Sequence, residues 1–86
     1  METRVAVMSI LVEESEGRPS ESVKQLNGLL HEFGQYIIGR MGIPYRQKQG
    51  NIISIAMDAP GDTISAFAGK IGNLPGVSAK TAYSNV

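Results

Sequence analysis

Arg40, Arg46 and Lys48, with Tyr45 among them, form a basic stretch in the middle of the sequence. Guanidinium groups take carboxylates or phosphates through charge-assisted, often bidentate hydrogen bonds, and a tyrosine hydroxyl can add one more, so Arg40, Tyr45 and Arg46 are candidate anion ligands. Solvated charges at a strand end account for the same residues without any ligand. A second kind of anion chemistry needs no charged side chain, only backbone amides at the start of a helix. Gly17, and Gly61 with Asp62, stand where a strand pattern gives way to a helix pattern, which makes them candidate contacts for a carboxylate or phosphate. Turn formation is the competing explanation for these glycines.

The remaining reactive side chains are sparse. His31 is the sole histidine and the chain has no cysteine, so neither a transition-metal set nor a thiolate nucleophile is expected, and no disulfide framework exists. Glu13, Glu14 and Glu16 lack the ligand spacing of a calcium loop and read as a solvated acidic loop. Gly69-Lys70 has neither the upstream glycine nor the following Ser or Thr of a nucleotide P-loop. With one histidine at no triad spacing, no enzymatic activity, metal or cofactor is expected.

Eight basic residues balance eight acidic ones over 86 residues. That balance lacks the positive charge that drives phosphate-backbone binding, so no direct nucleic acid binding is expected. The first apolar run, Val5 to Val12, has acidic flanks and is too short to span a bilayer, so a cytoplasmic protein with no membrane partner is expected. The length supports one domain over residues 1–86 that buries roughly 60–65% of its unfolded surface, a small core that association would reinforce.

The elements that must position these residues follow from periodicity. Arg4 to Glu13 reads as a strand apolar on both faces, with Val5, Val7 and Leu11 on one and Ala6, Met8, Ile10 and Val12 on the other. After the polar stretch Glu14 to Ser20, in which Ser20 is the expected N-cap, Val23, Leu26, Leu30 and Phe33 recur on one helical stripe with Leu29 beside it, and Gly34 is expected to end the helix. Tyr36 to Ile43 is the second strand, with Ile37, Gly39, Met41 and Ile43 on one face and Ile38 and Arg40 on the other; Gly39 and Gly42 weaken it or mark a bulge.

A polar hairpin leads to the third strand, Asn51 to Asp58. Pro60, Gly61 and Asp62 are expected to supply a turn and an N-cap for a second helical stripe of Ile64, Phe67, Ala68, Ile71 and Leu74. A final strand with alternating Val77, Ala79, Thr81 and Tyr83 belongs at an edge guarded by Lys80. Gly28 and Gly69 fall inside the helices, each costing about 1 kcal/mol relative to Ala, which close approach of another backbone would offset.

Two strand–helix–strand halves in so short a chain give an α+β fold, a ferredoxin-like βαββαβ two-layer sandwich with an antiparallel sheet. Its helices cover one sheet face, so the doubly apolar first strand calls for a second copy over the other face, in a homo-oligomer, dimer or tetramer. On this assignment Ile10→Lys is expected to weaken association more than it disrupts the helix-facing core. The third strand carries no aromatic residue of the kind that stacks RNA bases on an RNA-recognition motif.

Ile38-Gly39-Arg40-Met41-Gly42-Ile43-Pro44-Tyr45, and Asp62-Thr63-Ile64-Ser65-Ala66-Phe67-Ala68-Gly69-Lys70-Ile71-Gly72 followed by Pro75-Gly76-Val77, give the chain its resemblance to a small family, the iron-only hydrogenase system regulators. The resemblance implies an ACT-like domain similar to the C-terminal sensor domain of the nickel-responsive repressor. It lacks counterparts of that repressor's nickel-ligating His and Cys residues and begins directly in the first sandwich strand, so neither nickel sensing nor direct operator binding is expected. Of the ACT ligand loop only Gly17 is similar in position. The function implied is a non-enzymatic regulatory domain that binds a small anionic or amino-acid-like effector at an oligomer interface and signals to a partner protein of unknown identity. The alternatives are an oligomerisation or assembly scaffold without a ligand, and a small dimeric enzyme with His31 and Arg40 facing a cavity between helices and sheet.

Overall fold

The computed structural model describes residues 2–13, 21–45 and 50–84. In chain order the elements are β1 (Arg4–Glu13), α1 (Glu21–Glu32), β2 (Ile37–Tyr45), β3 (Gly50–Ala59), α2 (Gly61–Gly72) and β4 (Val77–Tyr83), with a 3₁₀ turn at Gly34–Tyr36 between α1 and β2. The four strands form one sheet in the order β2-β3-β1-β4, every neighbouring pair antiparallel. The two central strands pair along their whole length, from Arg4 opposite Ala59 to Glu13 opposite Gly50. This is the expected βαββαβ sandwich, with β4 at an edge.

Alternation along β1 sets the two faces. Ala6, Met8, Ile10 and Val12 are buried, and they meet Leu26, Leu30 and Phe33 from the α1 side and Ile64, Phe67 and Ile71 from α2 in one core. Phe33 and Phe67 pack with ring centroids 4.7 Å apart, joining the two helical stripes. The opposite face, with Val5, Val7 and Leu11, is exposed. Ile10 is therefore a core residue at 0% exposure, and the expectation that Ile10→Lys would act on association is wrong. Both sets are aliphatic, so composition alone does not tell which one the helices cover.

Ser22 is buried at the start of α1, where its Oγ donates to the Pro75 carbonyl at 2.7 Å, tying α1 to the α2–β4 connection. Gly76 in that connection has φ +74°, and a Cβ there would stand 3.2 Å from the Glu13 carbonyl oxygen. The carbonyl of Gly76 also accepts from the Glu13 amide at 2.8 Å. A left-handed turn pressed against β1 thus needs glycine on both counts.

Two local expectations differ, at the end of α1 and at the start of β2. The α1 helix ends at Glu32, and Gly34 opens the 3₁₀ turn instead of closing the helix. The expected turn and N-cap of α2 fall at Pro60, whose carbonyl accepts from Thr63 and Ile64, while Asp62 sits in the first turn, where its carboxylate favours the positive end of the helix. A register shift between Ile37 and Gly39 puts Ile37 opposite buried Met57, on the helix side, while Gly39 pairs with Ala56 on the open side. Ile38 is the extra residue and lies 64% exposed. Nothing comes within 4 Å of a Cβ placed at Gly28 or Gly69, so within one chain no close approach offsets the cost of either glycine. Ser20 lies outside the described residues.

Candidate functional site

After the bulge, Arg40, Gly42 and Pro44 take the helix-side positions of β2, opposite Ile55, Ile53 and Asn51. A packed core would place large apolar side chains there, as β1 does with Met8, Ile10 and Val12. Instead the flank of the sandwich under α1 is unfilled, leaving a cavity of about 280 Å³. Its apolar wall comes from Val12, Leu26, Leu30 and Ile53, and its polar groups from Asn27, Arg40 and Asn51. Gly42 makes the space: a Cβ there would meet nothing within 4 Å. Among the described residues no carboxylate pairs with Arg40, which is exposed.

The open face of the sheet is the second feature. Ile43, Ile52 and Leu11 lie side by side across β2, β3 and β1, with Met41, Val7 and Val5 nearby, all exposed. Met41 is 59% and Leu11 50% exposed. The middle of this face is small and polar, Ser54 opposite Ser9, and charges stand toward its margins, Lys80 on β4, Glu13 at the end of β1 and Asp58 on β3. Ile43 belongs to both features, since it also lines the cavity.

The residues singled out from the sequence do not converge on one place. Arg40 lines the cavity. Tyr45 closes β2 opposite Gly50; its side chain, and the whole of Gly17 and Arg46, lie outside the described residues. Gly61 and Asp62 begin α2 just after Ala59, which pairs with Arg4, so they sit at the opposite end of β1 from Glu13. Arg4 reaches Gly61, its Cδ 3.9 Å from where a Cβ would be, and stacks its guanidinium over Tyr83 at 4.2 Å. His31 is exposed on α1 and does not line the cavity. Gly42, Asn27 and Asn51 were not foreseen. The signal available was the alternation Arg40, Gly42, Pro44, three helix-side positions in a row without an apolar side chain able to fill the core.

Among the described residues no group of three or more His, Asp or Glu side chains is placed to hold a metal ion, and no helix is long and apolar enough to cross a membrane. Element order, antiparallel register and helices on one face define a ferredoxin-like, ACT-like two-layer sandwich with an uncovered apolar sheet face. Residues 4–81 match the TM1266-like family, described as "Iron-only hydrogenase system regulator, putative", and the chain belongs to that family. Among solved structures it is similar to the uncharacterized protein TM1266 from Thermotoga maritima, at 36% identity and a TM-score of 0.87 over 95% of this chain and 98% of that one. It is also similar to a formyltetrahydrofolate deformylase from Pseudomonas putida KT2440, at 15% identity and a TM-score of 0.63 over 95% of this chain and 29% of that one, a likeness of fold alone. No curated protein matches the chain.

Proposed function

We propose that this chain is a non-enzymatic regulatory domain of an iron-only hydrogenase system, whose copies associate through the open sheet face and which binds a small effector and signals to a partner protein. The observation that carries it is the exposed row of Ile43, Ile52 and Leu11, flanked by Met41 and Val7, in a member of a family described as regulators. An apolar patch with charged margins favours a protein partner over water. A second copy fits it best: the chain has no net charge to repel its like, and the margins carry both signs, so two faces can meet without like charges opposed.

Effector response is supported by the strand the two features share. An occupant of the cavity contacts β2 from the helix side, and association contacts Ile43 and Met41 of the same strand from the other side. A ligand that favours one arrangement of β2 thereby shifts the association equilibrium.

Native mass spectrometry of tag-free protein, purified gently and without oxygen, tests the whole reading. A dimer or tetramer with a reproducible extra mass is expected. A monomer at concentrations above about 10 μM overturns association through the face, because that corresponds to less than roughly 7 kcal/mol of binding free energy. An oligomer with no added mass and no melting shift on adding small acids leaves a scaffold instead.

A further inference from the structure

We propose that the cavity between α1 and β2 is the effector site, and that it takes a small monocarboxylate with an apolar body, its carboxylate held by Arg40. The regulatory role of such a ligand rests on the function proposed above; the chemistry of the site does not. Three observations define the ligand class. The wall of Val12, Leu26, Leu30 and Ile53 is hydrocarbon, which suits an aliphatic or aromatic body and gives ordered water few partners. Among the described residues Arg40 is the cation on the cavity lining, on a helix-side strand position opposite buried Ile55, and no carboxylate among them neutralises it. A planar guanidinium fork at the edge of an apolar space matches one carboxylate, and Asn27, on the same cavity lining, offers an amide.

Size narrows the class further. At about 280 Å³ the cavity lies at the bottom of the range for small-molecule sites, so it admits a branched-chain or aryl acid and excludes a nucleotide. Gly42 is the residue that sets this volume. A Cβ there would meet nothing within 4 Å, so a larger side chain has room to enter the empty space and fill the site from the helix-side position of Gly42.

The test is amide-resolved NMR titration of the full chain with phenylacetate and with isocaproate, each compared with its uncharged amide. Both acids are expected to produce saturable shifts at Asn27, Leu30, Gly42 and Ile53, with dissociation constants on the order of 1 mM for ligands of this size. The amides are expected to bind about tenfold more weakly, and Arg40→Gln to bring the acids down to the level of the amides. Gly42→Leu is expected to abolish all four titrations while keeping a native spectrum. If neither acid gives saturable shifts, if the shifts map to the open face or to the start of α2, or if acids and amides bind alike, the assignment is overturned. Native mass spectra of the same samples separate the two claims. An oligomer without cavity shifts removes the ligand site and leaves association, whereas a monomer with cavity shifts does the reverse.

Discussion

Leu11→Lys puts a charge in the apolar row of the open face without touching the core, because Leu11 is 50% exposed and points away from the helices. Complete burial of a leucine is worth about 1.5–3 kcal/mol, so covering its remaining half contributes about 1 kcal/mol. In a two-fold dimer the position occurs twice, giving about 2 kcal/mol lost from the contact alone. Each ammonium must then be desolvated or bent aside, which brings the total to at least about 3 kcal/mol, a weakening of roughly 100-fold or more.

Sedimentation velocity over a concentration series reads this directly, with far-ultraviolet circular dichroism as the check on folding. The variant is expected to be monomeric with a native spectrum. Ile10→Lys is the counterpart: at 0% exposure it places a charge in the core and is expected to abolish the folded spectrum altogether. Leu11→Lys that sediments as wild type would refute the reasoning, and so would Ile10→Lys that remains folded.

Three further outcomes concern stability. Gly28→Ala and Gly69→Ala are each expected to stabilise by about 0.5–1 kcal/mol, since both lie in helices with open space around the new methyl group, and thermal melts should rise by several degrees for each. A fall for either would mean that another copy packs closely there. Gly76→Ala is expected to cost about 1–2 kcal/mol for its left-handed backbone, with the crowding against Glu13 O in addition, measured by urea denaturation. Ser22→Ala removes the hydrogen bond to the Pro75 carbonyl and is expected to cost about 1 kcal/mol in the same assay.

The fold was legible because periodicity and punctuation agree along most of the chain. The span of β1, the α2 stripe of Ile64, Phe67 and Ile71, and the alternation of Ile53, Ile55 and Met57 all follow from spacing. Which face of β1 the helices cover was not legible. Ile10 and Leu11 are chemically alike, and the choice is made by loops and packing that no local pattern encodes. The candidate site was legible in one residue. Arg40 stood out as a cation, but its partners are defined by absence: Gly42 and Pro44 matter for the volume they leave empty, and empty volume has no composition. Ser22 was hidden for a related reason, since its acceptor lies 53 residues away in a turn.

The extra residue at Ile38 has a consequence for descent. It offsets the start of β2 by one step from the rest, so the strand behaves as two reading frames spliced together. Strict alternation of the same residues from Ile37 onward, with Ile38 taken into the ladder and no bulge, would turn Arg40 and Gly42 outward and carry Met41 and Ile43 inward, blocking the cavity and stripping the open face in a single event. The bulge, more than the identity of any one side chain in this short stretch, therefore decides which residues meet the cavity and which the open face. A relative one residue shorter there would keep both surfaces on a regular strand, whereas one that kept the residue and lost the bulge would exchange them.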